Sequence, residues 1–120
     1  CDCIILDHIS IVISGLTSGG DERRMLDFVM TKLRSLVEEL QCALILVSHL
    51  RRPSGDRGHE EGVQTSLNQL RGTHGIAQLS DIVIGCERNQ QSEDNPNHTT
   101  MRILKKSYCY FSIFFIPFDI

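Results

Sequence analysis

Ile4-Ile5-Leu6-Asp7-His8-Ile9-Ser10 is a short apolar run that breaks off at a carboxylate. A run without polar alternation suits a strand covered on both faces, as parallel strands are. An aspartate directly after such a strand is delivered to the mouth of the sheet, the edge where open α/β sheets bind ligands. On one reading Asp7 is an acid of the Walker B kind, which holds Mg²⁺ beside a nucleotide. On the other it is a turn or helix-capping aspartate, as follows many strands. These few residues alone favour the second reading, so the neighbouring segments must decide.

The segments downstream build a unit around that run. Leu26, Val29, Met30, Leu33, Leu36, Val37 and Leu40 recur at helical spacing and predict one core-facing stripe on a helix over 21–40. Asp21 and Glu22 open it with negative charge, which suits the helix dipole. Ala43 to Val47 reads as a second buried strand and runs into Ser48-His49-Leu50. Strand, amphipathic helix and strand make a βαβ unit. Its right-handed crossover puts both strand ends, and so Asp7 and His49, on one sheet edge. Between the first strand and the helix, Ile9 to Gly20 is mixed and ends in the loop signal Ser18-Gly19-Gly20.

The chain has 120 residues, enough for one domain or part of one. It begins at Cys1, on a residue already inside a predicted strand, so a preceding segment is expected. The net charge of −3 gives no global basic footprint, and any nucleic-acid contact must come from a local patch. No secretory signal is expected, since no basic stretch precedes the first apolar run, and no apolar run here is long enough to span a bilayer. The five cysteines form no C-x-x-C pair. Cys3, Cys42 and Cys86 lie in strand-like runs as buried small hydrophobes, and a reducing cytoplasm is expected.

Arg51 to Thr65 is polar, glycine-containing and aperiodic, a long loop of the kind that carries function. Ser66 to Ser80 suggests short helical turns. Asp81 to Cys86 and Thr99 to Leu104 read as third and fourth strands, joined by a polar turn. The tail Ser107 to Ile120 holds four of the five phenylalanines and both tyrosines, with no clean pattern.

Several residues in this frame can carry chemistry. His49, at a strand mouth before a basic loop, can donate to a phosphate oxygen and report on it, as phosphate-ordered loops do. The plainer alternative is a histidine satisfied by a backbone carbonyl. Arg51, Arg52 and Arg57 share one loop that can track a phosphate backbone, or simply be solvated. Arg71, Gly72 and Thr73 pair a cation with a backbone open to close approach. Arg88 follows the third strand, where its guanidinium can hold a base or a phosphate. His59-Glu60-Glu61 lacks the histidine spacing of a zinc helix. Ser48 and His49 are adjacent, so they make no nucleophile–base pair.

Five blocks now stand in order: Ile4-Ile5-Leu6-Asp7-His8-Ile9-Ser10, Val47-Ser48-His49-Leu50, Leu70-Arg71-Gly72-Thr73, Gln78-Leu79-Ser80-Asp81 and Glu87-Arg88-Asn89-Gln90-Gln91. Together they closely resemble the helicase domain of phage-type primase–helicases, within the DnaB-like hexameric replicative helicases. The resemblance covers about residues 1 to 106. It implies an α/β fold, part of a RecA-like three-layer core of the P-loop NTPase kind with a mostly parallel sheet. It also implies NTP hydrolysis, with Mg²⁺ and ATP or dTTP, coupled to translocation on single-stranded DNA. The implied partners are a homo-hexameric ring, a primase and a DNA polymerase. The implied setting is the cytoplasm of a bacterium or phage-infected cell rather than a mitochondrion.

By the same resemblance Asp7 is the Walker B aspartate and His49 the γ-phosphate sensor. Arg51, Arg52 and Arg57 belong to a DNA-binding loop, Arg71, Gly72 and Thr73 to a second one, and Arg88 and Gln78 to the nucleotide. Two departures bear on activity. No G-x-x-x-x-G-K-[ST] loop occurs in the chain, and the family's catalytic glutamate, which lies with it before the Walker B strand, has no counterpart. The family also continues after the Lys105 strand with an arginine finger, worth about 10³ to 10⁵ in rate in comparable enzymes. Here Ser107 stands in its place.

The expectation is thus a helicase segment over 1–106, inactive alone, followed by a divergent tail over 107–120. A frameshift near Lys106 would explain that tail; a genuine edge strand is the competing view. Two other functions stay open, a non-enzymatic remnant with at most weak DNA binding and a RecA-type recombinase module. The Glu87-Arg88-Asn89-Gln90 block counts against the last.

Overall fold

The computed structural model describes residues 2–16, 21–50, 59–70, 74–107 and 113–118. In chain order the elements are β1 (Cys3–Leu6), α1 (Ile9–Leu16), α2 (Glu22–Leu40), β2 (Ala43–His49), α3 (His74–Leu79), β3 (Ile82–Arg88), β4 (Thr99–Lys106) and β5 (Ile113–Phe118). Single 3₁₀ turns lie at His59–Glu61 and Leu67–Gln69. The five strands form one sheet in the order β1-β2-β5-β3-β4. β1, β2, β5 and β3 run parallel, and β4 returns antiparallel at the edge. A mostly parallel α/β sheet was the expectation, and this is what the chain forms.

The helix over 21–40 forms for the reasons its sequence offers. Asp21 caps it, its side chain accepting from the Arg23 amide at 3.1 Å. Gln41 ends it in the left-handed conformation at φ 51° and donates its amide to the Val37 carbonyl. Leu26, Val29, Met30 and Val37 are buried as the stripe requires. Leu36 and Leu40 are not: they are 39% and 51% exposed, because the stripe is narrower than the run of leucines. Arg34, one turn further along, reaches Asp81 at the foot of β3 with Nη1 2.6 Å from Oδ2. That ion pair ties helix to sheet.

Among the described residues, α1, α2 and α3 share one side of the sheet. Ile9 and Ile13 of α1, Leu26, Val29 and Met30 of α2, and Ile76 of α3 form a single cluster with Leu46 of β2 and Val83 of β3. Residues that alternate with these point away from the helices, and there Ile5, Met101 and Ile103 are 63–69% exposed. Among the described residues the molecule is therefore two layers, helices on one face of a sheet. No helix among them is long and apolar enough to cross a membrane.

Three local expectations change. Ile9–Leu16, read as mixed, is a helix, since its tertiary packing overrides a β-branched composition. Cys3 is exposed, because β1 is an edge strand and its odd residues face away from the helices; Cys42 is buried and Cys86 lies between. The tail supplies a strand, but at the centre of the sheet and not at its edge. β5 lies between β2 and β3, its residues 113–118 opposite 44–49 of β2. An uninterrupted apolar run is what a central parallel strand needs.

Candidate functional site

The carboxyl ends of β1 and β2 meet where the crossover rule puts them. Their register is parallel, Cys3 opposite Ala43 through Leu6 opposite Leu46. Asp7 and His49 therefore leave the sheet at one edge. His8, between Asp7 and α1, packs its ring edge-on against that of His49, with centroids 4.5 Å apart and planes at 65°. The His8 Nδ1 is buried and has no hydrogen-bond partner among the described residues. Asp7 itself is exposed, a carboxylate open to a ligand.

Arg88 ends β3, which is parallel to β5 and so to β2, and is exposed at the same edge. Gln78 is not brought there. It lies in the last turn of α3, where its carbonyl accepts from Lys105 Nζ at 3.2 Å. The same ammonium binds the carbonyls of Ala77 and Ser80, each at 2.7 Å. Lys105 thus closes the C-terminus of α3 from β4, at the start of β3. Arg51, Arg52, Arg57, Arg71, Gly72 and Thr73 lie outside the described residues. Their flanks do not: Leu50 and Leu70, only 7% and 6% exposed, form an isolated antiparallel bridge. The residue after His49 and the residue before Arg71 are thereby joined.

The most densely bonded side chain at this end is one the sequence reading passed over. Glu87 Oε1 accepts from the Thr65 amide at 2.8 Å, the Thr65 hydroxyl at 2.6 Å and Arg102 Nε at 2.9 Å. Oε2 accepts from Arg102 Nη2 at 3.4 Å. Burial pushes this carboxyl up, but the bonds from Arg102 and Thr65 and the Arg102 charge outweigh it. The group is held at about 2, below its ordinary 4.5. Arg102 is raised in turn by the bond and charge of Glu87. Thr65 sits directly over Gly85, where a Cβ would collide with its hydroxyl. Gly62, at φ +87°, lies against Asn89. A polar cleft of about 390 Å³ opens beside them, lined by Gly62, Glu87, Asn89, Ser92, Asn95, His98 and Thr100. Glu87 was legible only as part of a block; its partners lie 22 residues before it and 15 after it.

A parallel α/β sheet with an exposed acid and a paired histidine at its carboxyl edge defines a class, the open α/β ligand-binding domains. The particular family comes from comparison. The family of the DnaB-like helicase C-terminal domain matches residues 1–109. The chain is also 46% identical over 105 residues to the DNA helicase/primase of Enterobacteria phage T3. That alignment covers 88% of this chain and 18% of the phage protein. The chain belongs to the DnaB-like helicase C-terminal domain family.

Proposed function

We propose that residues 1–106 are the part of a replicative helicase that couples NTP hydrolysis to movement along single-stranded DNA and to duplex unwinding. The observation that supports this is the parallel register of β1 and β2, which ends Asp7 and His49 at one sheet edge, with the His8 ring 4.5 Å from that of His49. In this reading Asp7 holds Mg²⁺ beside ATP or dTTP. The fit is chemical: a lone exposed carboxylate suits an ion that takes one or two protein carboxylates and fills its shell with phosphate oxygens and water. Bound there, Mg²⁺ would supply positive charge against the phosphates. His49 donates to the γ-phosphate, and Leu50 passes its position on to the segment after it. Arg88 holds the base. Gln78 is assigned to the nucleotide on resemblance alone.

Arg51, Arg52 and Arg57 contact DNA phosphates in this reading, and Arg71, Gly72 and Thr73 form the second contact. The complete protein works as a ring of identical subunits, with primase and DNA polymerase as further partners and the cytoplasm of a bacterial or phage-infected cell as its setting. A third layer, supplied by other residues of the complete protein, covers the open sheet face to complete a RecA-like core. The 120-residue chain has no glycine-rich phosphate loop, so alone it neither binds ATP tightly nor hydrolyses it.

A chimera tests this. Residues 1–106 replace the matched segment of the phage T3 helicase/primase, and strand separation of a forked duplex is measured. The chimera should unwind DNA. Asp7→Asn and His49→Ala should each cut the rate by at least about 10², the range of removing one phosphate-stabilising group. Full unwinding by Asp7→Asn would sink the assignment.

A further inference from the structure

The strands within residues 1–106 do not make a continuous sheet by themselves. Among the described strands β1 pairs with β2 and β3 with β4, but β2 and β3 are joined only through β5. β5 comes from the tail, beyond the family match, which ends at residue 109. Paired strands lie about 4.8 Å apart, so β2 and β3 stand about 10 Å from each other across β5. The helix layer ties both to one core. Leu46 of β2 and Val83 of β3 share a buried cluster with Met30 of α2 and Ile76 of α3. Arg34 of α2 grips Asp81 at the foot of β3. The family-matched segment thus presents a slot one strand wide, walled by the backbones of β2 and β3.

The tail fits this slot unevenly. Against β2 it pairs along its whole length, from Ile113 opposite Leu44 to Phe118 opposite His49. Against β3 it pairs at two positions, Phe114 opposite Ile82 and Phe115 opposite Val83. From Ile84 to Arg88 the side of β3 that faces β5 has no strand partner among the described residues. Pro117 lies in the part of β5 that has lost β3. A proline offers no amide to a ladder and belongs at edges and bulges, not in the middle of a sheet. β5 therefore behaves as a central strand at Phe114 and Phe115 and as an edge strand beyond them.

We propose that the slot between β2 and β3 is a receptor for one extended apolar peptide strand, parallel to both walls, and that β5 is its displaceable occupant in cis. Recognition is by strand addition: the two walls supply backbone hydrogen bonds, and burial selects a run without charge. Ile113 to Phe118 is such a run. A better occupant has no proline and extends along β3 as far as along β2. Its carboxyl end lies beside His49, where Phe118 stands in this chain, so occupancy of the slot braces the strand that carries His49. None of this depends on the helicase reading.

The 120-residue chain tests it. Phe115 faces both walls, so Phe115→Pro removes an amide from the middle of the occupant and should empty the slot. The probe is a fluorescent peptide of residues 112–118 with Pro117→Val and two lysines added at each end. The same peptide with Phe115→Pro is the control. By anisotropy the probe should bind the Phe115→Pro chain at least about tenfold more tightly than the parent, whose own tail competes from a high effective concentration. The control should bind neither. Amide exchange over 44–49 should quicken in the Phe115→Pro chain and slow again with the probe. If that chain does not fold alone, the probe and not the control should restore a cooperative melt. Equal affinity of the probe for the two chains overturns the proposal, because the probe is then held elsewhere. Absence of both binding and recovery in the Phe115→Pro chain overturns it too. So does unchanged exchange over 44–49 in that chain, since β5 then gives β2 no protection.

Discussion

Ionised Glu87 makes the stability of this chain depend on acid in a defined direction. Its carboxyl is held at about 2 in the folded chain, against an ordinary 4.5. A depressed folded value means that the unfolded chain binds the proton more readily, so stability is gained as pH rises. The contribution is complete above about pH 4.5 and is lost as pH falls towards 2. Its size is about 2 kcal/mol, discounted from the full shift because Arg102 on its far side is partly solvated. Urea midpoints measured between pH 2 and pH 6 should therefore fall more steeply with acid in the parent than in Glu87→Gln. Parallel curves would show that the Thr65 and Arg102 bonds contribute no net stability. Arg34 and Asp81 call for a different experiment, since both are largely buried and oppositely charged. Arg34 keeps Glu38, whose Oε1 lies 2.9 Å from its Nε, so Asp81→Ala should destabilise by about 2 kcal/mol, the value of a hydrogen bond to a charged group, and its loss should not add to that of Arg34→Met. A double-variant cycle with no coupling would rule the pair out as the tie between α2 and β3.

At the scale of elements, α2 invites two substitutions of opposite sign. Asp21→Ala removes the oxygen that accepts from the Arg23 amide and should cost about 1 kcal/mol. Gln41→Gly relieves a left-handed residue at φ 51° and should stabilise by up to about 1 kcal/mol, because glycine alone adopts that conformation without a Cβ penalty. Thermal unfolding of both variants checks the pair; a loss from Gln41→Gly would show that the side chain, not the backbone, matters there. The same helix shows what local sequence can reveal. Its apolar spacing, its acidic start and the apolar strands on either side are short-range signals, and they suffice to bring Asp7 and His49 to one edge. What they miss is set by distant partners. Ile9–Leu16 becomes a helix because Ile9 and Ile13 pack against Leu26 and Leu46, not because its residues favour one. Lys105 caps α3 across about 25 residues of chain, and Glu87 binds Thr65 across 22, and no periodicity records such pairings. Leu36 and Leu40 fit the stripe by spacing, yet they lie beyond the width that the sheet covers.

The described residues are distributed unequally about the sheet. Among the described residues one face is covered by α1, α2 and α3, and the other leaves Ile5, Met101 and Ile103 more than half exposed. Parallel strands rich in isoleucine and valine read as covered on both sides, and β1 and β2 keep that composition although one side is open. The edge strand β4 adds to this, since its unpaired backbone and exposed Met101 and Ile103 offer a template for a second chain. The 120-residue chain should therefore associate through this face as its concentration rises. Met101→Thr with Ile103→Thr should suppress association in sedimentation velocity while changing stability by no more than about 0.5 kcal/mol, as exposed substitutions do. In the chimera with the phage T3 protein the proposed third layer would lie against the same residues. Ile5→Asp should be close to neutral for the stability of the isolated chain, where the carboxylate meets water. In the chimera it should cost more than about 3 kcal/mol, the penalty of a buried and unpaired charge. Equal effects in the two settings would mean that the face is open in both, and that the core of the complete protein is not closed on that side.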